Sequence, residues 1–152
     1  MGQGPKFDSA LGTRGGRANF VTSNDIASGD TLAKDILSEM KEEGIKFSKD
    51  KIVFAAKLKN GSKIFLETDA VNHIIQGHAR DFENAFGVKS HQIAPLLSDT
   101  ICKGTLVSSK VSIVNGKTCY SNKYYYKSEY SIVYGIADNG YIETAYPRGG
   151  KK

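Results

Sequence analysis

Residues 105–147 read TLVSSKVSIVNGKTCYSNKYYYKSEYSIVYGIADNGYIETAYP, and the punctuation of this run fixes what kind of fold can follow. Two Asn-Gly pairs, Asn115-Gly116 and Asn139-Gly140, interrupt segments rich in Val, Ile, Thr and Tyr. Asn-Gly supplies the positive φ angles of a tight hairpin, and β-branched and aromatic residues suit a pleated, half-buried surface. The spacing predicts hairpins of 105–114 with 117–127 and of 130–137 with 141–146, together a four-strand antiparallel meander.

Upstream, Asn60-Gly61 predicts a further hairpin, 51–59 with 62–67. Asp30 can cap a helix over 31–43, with Leu32, Ile36, Leu37 and Met40 inward and Gly44 as its stop. Asp69 can cap a second helix over 70–86, ending at Gly87. Ser90 can cap a third through Ile101, where Pro95 signals a kink or a late start. The order is that of an α+β domain, with an N-terminal helix and two central helices packed on a twisted antiparallel β-sheet built from hairpins. Residues 1–29 hold six of the sixteen glycines without an apolar period and read as a flexible linker. The folded domain is then 30–147, and 148–152 is a flexible basic tail.

A chain of 152 residues has room for one domain, and 39% hydrophobic with 24% charged residues excludes disordered and low-complexity classes. No apolar run approaches the roughly 18 residues of a membrane span, so no membrane partner is expected. The net charge of +5 is modest, but it is concentrated. All eight tyrosines lie between Tyr120 and Tyr146, interleaved with Lys123 and Lys127 and preceded by Lys110 and Lys117. Aromatic faces among cations stack bases and hold phosphates, whereas the plainer reading is that tyrosine favours strands. Cys102 and Cys119 form no CxxC pair and read as thiols. With the three histidines they have no metal-ligand spacing, so neither a metal nor another cofactor is expected.

The run His73-Ile74-Ile75-Gln76-Gly77-His78-Ala79-Arg80-Asp81-Phe82 carries the candidate chemistry. His78 falls on the apolar stripe of Val71, Ile74, Ile75, Phe82 and Phe86, where a helix and the rim of a sheet would form a cleft. His73, five residues back, lies about 140° around the helix and cannot point the same way unless Gly77 breaks it. Arg80 shares the flank of His73. In the last strand, alternation puts Ile142, Thr144 and Tyr146 on one face, so that a hydroxyl and a phenol offer two donors to a phosphate. Phosphate-loop, dinucleotide, nucleophile-elbow and zinc-protease motifs do not occur in the chain.

The segment Asn72-His73-Ile74-Ile75-Gln76-Gly77-His78, followed by a basic meander ending Ile142-Glu143-Thr144-Ala145-Tyr146-Pro147, resembles the barnase–EndoU–colicin–RelE-like ribonucleases over residues 30–147. Many of these are C-terminal toxin domains of contact-dependent inhibition and other polymorphic toxin systems. The resemblance implies a metal-independent endoribonuclease, with transfer RNA as favoured substrate and a cognate, acidic immunity protein as partner. It implies a monomer when free, delivered as part of a larger secreted or cell-surface effector and acting in the target-cell cytoplasm. By residue, it implies His78 or His73 as general base or acid, with Thr144 and Tyr146 as the strand pair. Lys103, Lys127, Arg80 and Arg148 are candidates to hold the scissile phosphate. In such a reaction the ribose 2′-OH attacks its own phosphate, and imidazole suits both proton transfers. The alternative is a non-catalytic RNA- or protein-binding module that uses the Tyr/Lys-rich sheet.

Overall fold

Local chemistry sets most of the element boundaries. The computed structural model describes residues 11–14 and 17–148. Two short strands, β1 (Thr13–Arg14) and β2 (Arg17–Ala18), pair as a ribbon. β3 (Phe20–Thr22), α1 (Ser23–Ser28), α2 (Thr31–Glu42), β4 (Ile52–Lys57) and β5 (Lys63–Glu67) follow. Then come α3 (Thr68–Phe86), α4 (Ile93–Lys103), β6 (Thr105–Val114), β7 (Lys117–Tyr126), β8 (Glu129–Ile136) and β9 (Ile142–Arg148). The class is α+β, as expected, with the hairpins distributed over two antiparallel sheets, β3-β4-β5 and β6-β7-β8-β9.

Two expectations about the ends need correction. The stretch read as linker supplies β2, β3 and α1: Val21 pairs with Ala55, and Val21 and Ile26 are buried. Its glycine content masked a strand whose apolar signal is only Phe20 and Val21, followed by a capping box between Thr22 and Asp25. Arg148, read as tail, pairs with Tyr130 at the end of β9. Residues 1–10, 15–16 and 149–152 of the expected linker and tail lie outside the described residues.

Of the three expected caps Asp30 holds, whereas Asp69 and Ser90 do not cap their helices. Asp30 accepts the Ala33 N–H at 3.1 Å, and Gly44 (φ 80°) follows the end of α2. Asp69 does not cap α3: it lies in the first turn and pairs with Lys51 at 3.1 Å, because Glu67 holds the cap position and turns its carboxylate to the Ser48 N–H at 2.8 Å. A 3₁₀ turn at Ser90–Gln92 delays α4, so Pro95 falls in the first helical turn, where its missing N–H has no intrahelical partner to lose.

The small sheet is buried on both sides. Phe54, Ala56, Ile64 and Leu66 face a cluster with Ile74, Phe82, Leu97 and Ile101 of α3 and α4 and with Tyr120, Tyr124, Val133 and Ala145 of the large sheet. Val21, Ala55 and Phe65 face α2 through Leu32, Ile36 and Met40. The sheets meet where Phe65 N donates to the Gly140 carbonyl at 3.1 Å and the Phe65 and Tyr141 rings pack edge to face, 5.6 Å apart. Gly140 has φ 80°, and a Cβ there would run into the backbone carbonyl of Lys63. Gly140→Ala is therefore expected to lower unfolding free energy by about 3 kcal/mol, measured by urea denaturation.

An ion cluster ties α2 to the small sheet. The buried Lys63 ammonium meets Glu43 at 2.6 Å and Glu39 at 3.2 Å, and Lys57 meets Glu39 at 2.8 Å. The hydrogen bond from Lys57, aided by Lys63 and opposed by burial, holds the Glu39 carboxyl below its ordinary value of 4.5. A carboxyl lowered in the fold adds stability that is present above the unfolded value and lost as pH falls through the folded one. The stability gap between wild type and Glu39→Gln is thus expected at pH 7 and should narrow as the medium is acidified below 4.5.

Candidate active site

α3 runs unbroken through Gly77, so the two histidines expected of it diverge. Ile74 and Phe82 are fully buried, and His78 lies between them on the same stripe with its side chain 32% exposed. Its ring stacks on Tyr146 of β9, centroids 5.1 Å apart and planes 29° apart. His78 Nδ1 lies 2.9 Å from Asp81 Oδ2, one helical turn on. An ionised carboxylate only accepts, so Nδ1 carries the hydrogen and the neutral ring keeps its Nε2 lone pair available as a base. His73 and Arg80 are exposed on another flank, and the fold brings neither to Tyr146.

β9 holds the second half of the site, with one correction to the expected alternation. Thr144 pairs with Tyr134 but Ile142 pairs with Gly135, so Glu143 is an extra residue in the strand. The bulge turns Ile142 to the core beside Ala145, both buried, and leaves Thr144 and Tyr146 together on the opposite face. A bulge has no reliable residue signature, which is why strict period-two counting misplaced Ile142.

That face of the large sheet lies opposite the one packed on α3 and α4, and His78 of α3 reaches it around the edge strand β9, at Tyr146. Strand register sets out its rows: Thr105, Tyr125, Tyr130 and Arg148; then Ser108, Lys123, Ile132 and Tyr146; then Lys110, Ser121, Tyr134 and Thr144. Ile132 and Cys119 are buried yet belong to neither core cluster, because the tyrosines beside them cover them. The Lys123 ammonium sits 5.0 Å from the Tyr130 ring centroid, and Tyr125 and Tyr130 lie 5.0 Å apart. A hydrogen bond with Cys119 raises the pKa of the Tyr134 hydroxyl above its ordinary value.

The expected cations divide. Lys103, two residues before Thr105, Lys127, in the turn after Tyr126, and Arg148, opposite Tyr130, gather at the end of the sheet nearest Tyr146. Lys103 is engaged with Asp99 at 3.8 Å, and Lys127 lies 5.8 Å over the Tyr126 ring. Asp81 had no role assigned from the sequence, and Lys123 was expected only as one of the cations among the tyrosines. For Asp81 the signal was its three-residue spacing from His78, whereas the place of Lys123 emerges only from cross-strand register.

Both cysteines are free, and burial raises the Cys102 thiol above its ordinary value. No three His, Cys, Asp or Glu side chains gather as a metal-ligand set among the described residues. No described helix is long and apolar enough to cross a membrane. Compared with protein-family models and with curated proteins, the chain matches none.

Proposed function

We propose that this chain is a ribonuclease toxin domain that cleaves RNA, transfer RNA foremost, by 2′-OH transesterification, with an acidic immunity protein as its neutralising partner. The observation that carries the reading is the His78–Tyr146 stack with Asp81 on His78 Nδ1. His78 Nε2 takes the proton as the ribose 2′ oxygen attacks the adjacent phosphorus. The bond from phosphorus to the 5′ oxygen breaks, and that oxygen leaves with a proton from the Tyr146 hydroxyl. The products are a 2′,3′-cyclic phosphate and a free 5′-OH. Thr144, next to Tyr146 on that face, and the cations at the sheet end neutralise charge that builds on the phosphate oxygens. Tyr125, Tyr130 and Lys123 form a track on which flanking nucleotides stack and pair their phosphates.

Purified protein incubated with total transfer RNA in EDTA is expected to yield fragments ending in 2′,3′-cyclic phosphate. His78→Ala should reduce kcat about 10³-fold, within the range of a lost general base, and Asp81→Asn about tenfold with little change in KM. Full activity in His78→Ala would exclude this mechanism. The open Tyr/Lys face also favours a second reading, binding without cleavage, and this reading gains if RNA is bound but never cut.

The track makes a separate prediction. Lys123→Gln is expected to raise KM and lower the slope of log affinity against log salt by about 1, one phosphate contact, with kcat nearly unchanged. Tyr130→Ala should weaken RNA binding by about 1–3 kcal/mol in a fluorescence-anisotropy titration.

A further inference from the structure

A groove of about 710 Å³ opens between α2, the end of α1 and the 45–49 loop. Its floor is apolar: Leu37, Ile45 and Phe47 are half-buried and rest on the core cluster beneath α2. Leu37, expected to point inward, packs against that core at its edge and also lines the groove, with Lys34, Ser38 and Lys41 of α2. Lys46 and Lys49 of the loop complete a rim of four exposed ammonium groups. Among the described residues, no Asp or Glu lines the groove.

Four of the lysines outside the groove, Lys51, Lys57, Lys63 and Lys103, pair with a carboxylate. None of the four rim lysines is in an ion pair among the described residues. Four unneutralised lysines lining an apolar groove favour an anion in it. The floor adds a second requirement, because half-buried apolar surface is stabilised by covering it. Among the described residues, Ser38 is the only polar lining side chain besides the lysines. A nucleobase or sugar would need several convergent donors and acceptors, so the lining fits a hydrocarbon body with a charged head.

We propose that this groove binds an amphipathic anion, an acyl chain carrying a phosphate head. The head meets the lysine rim while the chain covers Leu37, Ile45 and Phe47. Its residues are distinct from those of the His78 site, so the two readings stand or fall separately.

Calorimetric titration of the full chain with dodecyl phosphate, kept below its micelle concentration, tests the site. One saturable event with Kd between roughly 10 and 300 µM is expected, in keeping with a ligand of this size. Lys41→Gln with Lys46→Gln should weaken it about tenfold or more, and Lys89→Gln with Lys117→Gln should leave it within about twofold. Dodecanol, with the same chain and no charge, should bind far more weakly. Sedimentation with phosphatidylglycerol–phosphatidylcholine vesicles separates the sources of the ligand. Capture abolished by the Lys41/Lys46 double substitution assigns a membrane lipid. No capture alongside saturable dodecyl phosphate assigns a free amphiphile, and either result supports the site. Failure to saturate by about 1 mM, or equal affinity in the Lys41/Lys46 double variant, overturns it.

Discussion

The join between the two sheets is the constraint on which the rest of the molecule depends. Gly140 lets its carbonyl accept the Phe65 N–H while its Cα lies against the Lys63 backbone, an approach closed to any side chain. β5 passes directly into α3 at Thr68, and Tyr141 passes directly into β9 at Ile142. Fixing Phe65 against Gly140 and Tyr141 therefore fixes where α3 begins relative to β9. His78 and Tyr146 come into contact as the downstream consequence of that backbone contact.

The site built this way has two unlike parts. On the helix, a carboxylate one turn along sets the tautomer of His78, and the stack on Tyr146 limits how the ring can rotate. Such aromatic pairs contribute about 0.5–1.5 kcal/mol beyond area burial, enough to hold one orientation of a partly exposed ring. On the sheet, the helices cover one face only, so tyrosines on the other remain available as a surface. A bulge at Glu143 decides which side chains of β9 join that surface. Without it, Ile142 would share the face of Thr144 and Tyr146 and leave its place in the core.

Legibility in the sequence followed the range of the interaction involved. Asn115-Gly116 took the positive φ angles expected of it, 52° and 81°, since a two-residue turn is settled by its own residues. The turn between β7 and β8 gave no such warning: Lys127 and Ser128 adopt φ 53° and 67° because the long strands on either side hold them there. Asp69 carried a cap signal but was displaced by Glu67, whose carboxylate is engaged by the distant Ser48 N–H. The segment ahead of Gly29 was concealed for a similar reason, since β3 is a strand only by pairing with β4.

The fold class, helices α2, α3 and α4, three hairpins and the placing of His78 on a core-facing stripe were readable from residue order, because caps, turn residues and periodicity act over a few residues. The charge and tyrosine bias of the second half was readable for the same reason. Long-range contacts settled what remained. The division into two sheets, the pairing of His78 with Tyr146, and the separation of His73 depend on where distant segments meet. So do the bulge in β9 and the placing of Leu37 at a lysine-rimmed groove. Such contacts form where close backbone approach and burial across the chain outweigh local preference, and no short window of sequence contains both partners.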